Sequence, residues 1–177
     1  MNYLKIKKDN DRLFLTGQDI CKGMKSEYIP DFIPVECSPE EKYVLSDNIV
    51  KQTTVECILN NAGKNIIALN FANGVVPGGG YALGAKAQEE SLCRASMIYY
   101  TIKDVKEFYS ANRRHLRADY TDGMIYSENI PVIRDDSGKL IGRPVLCNFI
   151  TCPAVNRTEA FMPRSKTNAI MERRIKK

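Results

Sequence analysis

Four of the chain's 11 glycines fall within seven residues, from Gly74 to Gly80 in "GVVPGGGYALGAKAQEES". Eight residues then separate Gly80 from an acidic doublet, Glu89-Glu90. A glycine-rich loop before a helix lets the backbone approach an anion closely, because glycine has no Cβ and the first helical N–H groups are free donors. This stretch therefore predicts a strand, a tight loop and a helix in direct succession.

The residues on either side of the loop support that arrangement. Before it, "NIIALNF" is a short apolar run that ends in polar residues and predicts a buried strand. After it, "AQEESLCRASMIYYTI" predicts one continuous helix, because four apolar residues recur along a single helical stripe. These residues are Leu92, Ala95, Tyr99 and Ile102.

Two further segments have clear local signals. In "TTVECILNNAGK", Thr53 is a candidate N-cap with Glu56 at capping-box distance, and Gly63 is a candidate C-terminal stop. The run "MIYSENIPVIRDDSGKLIGRPVLCNFITCPAV" predicts a strand, a turn at Asp136-Ser137-Gly138 and a second strand over residues 145–152. Helix, strand, loop, helix and two strands in this order indicate an α/β fold.

The first forty residues are predicted to be irregular, because Pro30, Pro34 and Pro39 interrupt any long helix. We therefore divide the chain into a leading accessory segment, residues 1–45, and a main domain, residues 46–177. A length of 177 residues suffices for one domain with its own core.

Composition indicates a soluble globular protein, with 44% hydrophobic and 27% charged residues. The opening "MNYLKIKKDNDRLFLTG" lacks the apolar block of a signal peptide, so a cytoplasmic location and no membrane partner are expected. The six cysteines form no CxxC pair and there is one histidine, so we expect free thiols and no metal site.

The net charge of +5 is concentrated at the C-terminal end. "RSKTNAIMERRIKK" has six basic residues against one acid, so residues 1–163 are neutral overall. A nucleic-acid-binding protein more usually spreads basic residues over a folded face. A solvated helix face is the favoured interpretation, and no specific nucleic-acid partner is expected.

The glycine loop alone leaves two interpretations open, a phosphate cradle and a purely structural turn. It lacks GK[ST], and Gly78, Gly80 and Gly84 are spaced one residue too widely for the dinucleotide fingerprint. On a helical wheel Gln88 faces inward with Leu92, whereas the two glutamates point away from the buried stripe. The doublet could simply favour the helix N-terminus, with Glu90 paired to Arg94 four residues on.

The stretch "LNFANGVVPGGGYALGAKAQEESLCRASMIYY" resembles the signature of the microbial-type poly(ADP-ribose) glycohydrolases, which are built on a macrodomain. Their pattern runs "NFAN", "PGGG", six to eight residues, "QEE" and "LCRRS"; here the spacer has seven residues and "SLCRAS" departs at one position. The resemblance continues more weakly through "VLCNFITCPAVN" and "IMERRIKK". It implies a three-layer α/β/α fold with a mixed sheet.

The resemblance also implies a role for each matching residue. Glu90 would be the general acid that protonates the leaving oxygen of the ribose–ribose glycosidic bond. Glu89 would hold hydroxyl groups of the terminal ribose, Gln88 would orient the two acids, and Asn73 would bind the same ribose. The diphosphate and ribose would be lined by Gly78, Gly79 and Gly80. The ligand would be ADP-ribose or poly(ADP-ribose), with neither cofactor nor metal.

The family's domain continues with a further strand and a second glycine-rich loop, which residues 1–177 do not supply. We therefore expect the N-terminal and central part of the domain, with a complementing chain or homo-oligomer as possible partners. Three alternatives to a glycohydrolase stay open: a hydrolase of mono-ADP-ribosylated substrates, a non-catalytic ADP-ribose-binding module, and a half-protein that needs a partner.

Overall fold

A four-stranded mixed sheet forms the centre of the computed structural model, which describes residues 1–17, 19–30, 49–115, 120–153, 165–166 and 168–169. Its strands run in the spatial order β1-β3-β4-β2. In chain order the elements are α1 (Tyr3–Thr16), β1 (Lys25–Ile29), α2 (Thr54–Asn60), β2 (Ile67–Ala72), a 3-10 turn (Tyr81–Leu83), α3 (Gln88–Ala95), α4 (Ile98–Ile102), α5 (Lys106–His115), β3 (Met124–Arg134) and β4 (Leu140–Pro153).

The sheet combines one parallel pair with two antiparallel pairs. Strand β2 runs parallel to β4, with Asn70 opposite Thr151, whereas β3 runs antiparallel to both β1 and β4. The helix α2 and the loop before β2 lie between β1 and β2 in the chain. The α/β class and the mixed sheet are confirmed.

Helix α2 and the β3–β4 hairpin follow their local sequence signals. Thr53 and Glu56 form the predicted capping box, with each side chain bonded to the other residue's N–H at 3.0 and 2.9 Å. In the hairpin, Gly138 has a φ of +81° and its N–H donates to the Asp135 carbonyl at 2.9 Å. Strand β4 begins at Leu140, earlier than the predicted residue 145.

The leading segment is more ordered than predicted. Asn2 caps α1 by accepting from the Lys5 N–H at 3.0 Å, and β1 pairs with β3 as a member of the sheet. The expectation of an irregular segment is therefore wrong for α1 and β1. Pro34, Pro39 and the predicted boundary at residues 45/46 lie outside the described residues, so that boundary stays a prediction.

The predicted single helix after the glycine loop is two helices, α3 and α4. The chain leaves the helix at Ser96, where the backbone is extended and forms an isolated bridge to Val132 of β3. Met97 then donates its N–H to the Pro131 carbonyl at 3.0 Å. Pairing with β3 thus replaces helical hydrogen bonds at this point, while Leu92 and Ile102 remain buried as predicted.

The core lies between the helices and one face of the sheet, where Leu92 and Phe108 pack in one cluster with Ile125 and Phe149. Alternate residues of β2 face the other way. Ile67, Leu69 and Phe71 are 56%, 42% and 57% exposed, so β2 is a half-exposed edge strand and not the buried strand that was predicted. The described elements thus form two of the three layers that an α/β/α fold requires.

Candidate functional site

The site begins where β2 ends and the chain turns into the glycine loop. The Asn73 side-chain oxygen accepts from the N–H groups of Val75 and Val76 at 2.8 and 2.9 Å, which fixes the turn. The Asn73 N–H donates to Oε2 of Glu89 at 2.8 Å. One residue therefore connects the loop to the first turn of α3, while its own side chain is exposed to solvent.

The glycines allow the loop to lie directly on the two acids. Gly78 and Gly79 have φ values of +69° and +54°, in the left-handed region that favours glycine. A Cβ at Gly79 would lie 2.5 Å from Oε1 of Glu90 and 3.1 Å from Oε2 of Glu89. Close approach to the carboxyl groups thus excludes a side chain at this position.

Gly80 makes the direct bond between loop and helix. Its N–H donates to Oε1 of Glu90 at 2.8 Å, and a Cβ there would lie 2.6 Å from the Cβ of Ala85. The loop N–H groups thus contact the acids in this structure.

The two glutamates are buried, at 3% and 6% exposed for Glu89 and Glu90. A position off the apolar stripe of the helix did not predict this burial, which arises because the loop folds over the first turn of α3. One oxygen of each, Oε1 of Glu89 and Oε2 of Glu90, is buried without a hydrogen-bond partner among the described residues. Two acceptor atoms are thus available in an environment shielded from solvent.

Burial raises the pKa of Glu89 to about 7, from an ordinary value of 4.5. The N–H of Asn73 opposes this rise by stabilising the carboxylate, and the charge of Glu90 adds to it. Desolvation disfavours the charged form more than the hydrogen bonds from Asn73, Asn70 and Gly78 favour it. Glu89 therefore retains its proton in a substantial share of molecules near neutral pH.

Arg94 does not fill the role that the structural interpretation of the doublet gave it. Its guanidinium donates to the Ala85 carbonyl at 2.6 Å and to the Ser91 hydroxyl at 3.0 Å, and it lies 4.3 Å from the centre of the Tyr3 ring. Within the described ranges, the ion pairs do not include one between Glu90 and Arg94. A surface-type pairing thus fails to explain the doublet.

Gln88 contacts protein backbone. Its Nε2 donates to the Leu69 carbonyl at 2.6 Å, and its Oε1 accepts from the Phe71 N–H at 2.9 Å. Both backbone groups belong to β2, whose partner β4 lies on the other side. Gln88 therefore anchors the start of α3 to the edge of β2, and its role towards the acids or the ligand stays a prediction.

Two residues beneath the site, Asn70 and Tyr109, were not predicted from the sequence. Asn70 is fully buried, donates to the Thr151 hydroxyl at 3.2 Å, and its side chain interacts with Glu89 in the sense that lowers the pKa of that carboxyl. The Tyr109 hydroxyl is buried without a partner in the described part of the chain. Burial, and then the charge of Glu89, raise the pKa of Tyr109. A polar Asn inside the apolar run "IIALNF" was the available signal for Asn70.

The predicted site residues come together in one network. Gln88, Glu89 and Glu90 form the first turn of α3, with Asn73 on one side and the loop above; the loop residues are Gly78, Gly79 and Gly80.

The five described cysteines are free, and within the described ranges no group of three or more His, Cys, Asp or Glu could hold a metal ion. The same ranges contain no helix long and apolar enough to cross a membrane.

A mixed α/β sheet whose glycine loop covers two buried carboxyl groups defines a macrodomain-like protein with an acidic site. The family model of the microbial-type PARG catalytic domain matches residues 9–135, and the chain belongs to this family of poly(ADP-ribose) glycohydrolases. No curated protein gives a significant match to the chain.

Solved bacterial structures share the fold. Poly(ADP-ribose) glycohydrolase from Thermomonospora curvata, bound to the inhibitor ADP-HPD, is 27% identical with a TM-score of 0.76; the match covers 98% of this chain and 71% of that one. The enzyme from Deinococcus radiodurans in complex with ADP-ribose is 38% identical with a TM-score of 0.57, over 68% of this chain and 51% of that one.

Proposed function

We propose that this protein hydrolyses the ribose–ribose O-glycosidic bond of poly(ADP-ribose) and releases ADP-ribose. The observation that supports this most directly is the pair of buried carboxyl groups held under the glycine loop by the N–H groups of Asn73 and Gly80. A binding module has no need of two paired acids in a site shielded from water. Glycosidases use such a pair of carboxyl groups at the scissile bond.

The chemistry requires one proton at the leaving oxygen and one water at the anomeric carbon. In our proposal Glu90 protonates the oxygen as the anomeric C–O bond breaks. Water then attacks the anomeric carbon, its oxygen becomes the hydroxyl of the released ADP-ribose, and its second proton returns to Glu90. The Gly80 N–H holds Oε1 of Glu90, which leaves Oε2 for the ligand. Glu89, whose pKa is raised by burial to about 7, is the adjacent residue on the same helix turn.

The ligand would be held by polar groups that have hydrogen-bonding capacity to spare within the described residues. Asn73 uses its side-chain oxygen for the loop turn, and its NH2 group is on an exposed side chain where it can donate to a ribose hydroxyl. Glu89 would accept from ribose hydroxyls through Oε1, its buried oxygen without a partner. The loop Gly78–Gly80 would line the diphosphate. A cytoplasmic location stays a prediction.

The test is to incubate the chain with poly(ADP-ribose) and quantify free ADP-ribose, beside Glu90→Gln and Glu89→Gln. We expect release by the parent and a loss of at least 100-fold in Glu90→Gln, because general acid catalysis contributes about 10²–10⁴-fold. Glu107→Gln, which changes an exposed carboxylate in α5, is the control. A variant Glu90→Gln as active as the parent would remove Glu90 from the role of acid.

A second candidate, an assembly that needs a complementing chain or another copy, is favoured by the open face of β2. Ile67, Leu69 and Phe71 present a contiguous apolar strip at the edge of the sheet, beside the site. Exposed apolar strips and unpaired strand edges favour association. Light scattering of the parent and of Phe71→Ser tests this; Leu4→Ser, an equally exposed leucine on α1, is the control. A monomeric parent that turns over poly(ADP-ribose) would exclude the need for a partner.

A further inference from the structure

A fully buried asparagine in α1 contacts the far end of the helix that begins with the two acids. Asn10 donates through Nδ2 to the Arg94 carbonyl at 3.0 Å, with the Cys93 carbonyl at 3.5 Å. The same Nδ2 lies 3.4 Å from the Tyr81 hydroxyl. Its Oδ1 accepts from Nε of Arg134 in β3 at 2.9 Å. One side chain therefore joins α1, α3, β3 and the turn after the glycine loop.

The polar groups in this cluster explain why an asparagine is buried there. Helix α3 ends at Ala95, and the carbonyl groups in its last turn lack intrahelical partners. The Asn10 NH2 group satisfies the Arg94 carbonyl in a place that water does not reach. An apolar residue at position 10 would remove the hydrogen bonds that Asn10 makes to that carbonyl and to the Arg134 guanidinium.

The cluster is connected to the site from two sides. Tyr81 directly follows Gly80, and its N–H donates to the Gly78 carbonyl at 3.0 Å, so Tyr81 is bonded directly to the loop. Arg94 lies one turn after Glu90 on the short helix α3. Asn10 thus contacts the two elements between which the Gly80 N–H reaches Glu90 Oε1.

We propose that Asn10 is a positioning residue for this site, which holds the glycine loop at its hydrogen-bond distance from Glu90 by joining Tyr81 to the end of α3. The inference rests on the proposed function for its catalytic consequence. The structural part of the proposal does not rest on the proposed function, because the bond between Gly80 and Glu90 can be followed without turnover. The proposal makes helix α1, within the leading segment, a support for the residues of the site.

Asn10→Asp separates this role from general stability. An aspartate keeps the acceptor for Arg134 and adds a charge beside a guanidinium whose Nη2 is buried without a partner in the described residues. It cannot donate to the Arg94 carbonyl, although the Tyr81 hydroxyl can turn and donate to the new carboxylate. The α1–β3 contact is therefore kept or strengthened, while the bond from α1 to the end of α3 is lost.

The experiment compares the parent, Asn10→Asp and Lys8→Ala, an exposed residue of α1, by steady-state kinetics and by amide hydrogen exchange. For Asn10→Asp we expect a kcat about tenfold lower with KM within about threefold, because small misplacements of catalytic groups act mainly on the chemical step. We also expect faster exchange at the Gly80 N–H, with a melting temperature close to that of the parent. Lys8→Ala should match the parent in all three.

Unchanged exchange at Gly80 and unchanged kcat in Asn10→Asp would overturn the proposal. If Asn10→Asp fails to fold, Tyr81→Phe is the second variant, because it removes only the hydroxyl that Asn10 contacts. An exchange rate at the Gly80 N–H equal to that of the parent would then overturn the proposal. If the parent does not turn over poly(ADP-ribose), the proposed function fails. The exchange rate at Gly80 then still decides whether Asn10 positions the loop.

Discussion

The N–H of Gly80 donates to Oε1 of Glu90 at 2.8 Å, across ten residues of chain. This bond joins the two features that stand out in the sequence, the glycine cluster and the acidic doublet. The loop is therefore a cover for the acids in this structure, and its backbone geometry and the placement of the acids depend on one another.

Gly79→Ala should disrupt this cover. The new methyl group would lie 2.5 Å from Oε1 of Glu90, on a residue whose φ is +54°. We expect unfolding to be easier by about 1–3 kcal/mol, since a left-handed backbone and a close contact are both penalised. Release of ADP-ribose should fall at least tenfold. Urea denaturation and the release assay measure the two effects.

The control for that substitution is Gly142→Ala. A Cβ at Gly142 in β4 meets nothing within 4 Å, so its effect on stability should stay within about 0.5 kcal/mol. If Gly79→Ala were as stable and active as Gly142→Ala, the loop could not lie on the acids as described.

Local signals sufficed to predict the elements around the site. The capping box of Thr53 and Glu56, the turn at Gly138 and the order of strand, loop and helix are all determined by residues close in sequence. The resemblance added which polar residues belong together. The family is confirmed, whereas the roles of individual site residues stay predictions.

Features that depend on distant contacts were not predictable in this way. Asn10 bonds to Arg134, 124 residues away, so the contact that places α1 against the sheet could not be predicted from local patterns. The burial of Glu89 depends on the loop that folds over it, and a helical wheel does not include that loop. The break at Ser96 likewise arises from its bridge to Val132 in a later strand.

The raised pKa of Glu89 predicts a pH dependence of stability. Because its pKa is 4.5 in ordinary surroundings and about 7 in the fold, the folded protein binds more protons between these values. The contribution of Glu89 to the free energy of unfolding should therefore be greatest below about pH 4.5 and should fall as the pH rises to about 7. The full difference corresponds to about 3 kcal/mol.

Glu89→Gln provides the measurement. Relative to the parent, the variant should gain stability towards pH 8 and lose that advantage at pH 5, as followed by urea denaturation at several pH values. Glu107→Gln in α5 changes an exposed carboxyl group, and its free energy of unfolding should change with pH as that of the parent does. A constant difference between parent and Glu89→Gln from pH 5 to 8 would show that the fold does not raise the pKa of Glu89.

Gln88→Ala should detach the start of α3 from the edge of β2. The substitution removes the bonds to the Leu69 carbonyl and the Phe71 N–H, which costs about 1–3 kcal/mol together. Hydrogen exchange at the Phe71 N–H should accelerate. Gln52→Ala, whose exposed side chain bonds only to the Asn60 side chain among the described contacts, should change stability far less. Equal effects of both would contradict an anchoring role for Gln88.

Asn73 offers the clearest separation between building the loop and binding the ligand. Its side-chain oxygen holds the turn at Val75 and Val76, whereas its NH2 group is the proposed ribose donor. Asn73→Asp keeps an oxygen for the turn and loses the donor, and Asn73→Ala loses both. We expect exchange at the Val75 N–H to accelerate in Asn73→Ala only.

Affinity for ADP-ribose, measured by calorimetry, should fall in both variants. For Asn73→Asp we expect at least a tenfold loss, because a neutral hydrogen bond contributes about 0.5–1.5 kcal/mol and the new carboxylate adds repulsion towards a diphosphate. The protected Val75 N–H in the same variant would show that the loss does not come from a disordered loop. An Asn73→Asp protein that binds ADP-ribose as tightly as the parent would leave Asn73 with a role in the turn alone.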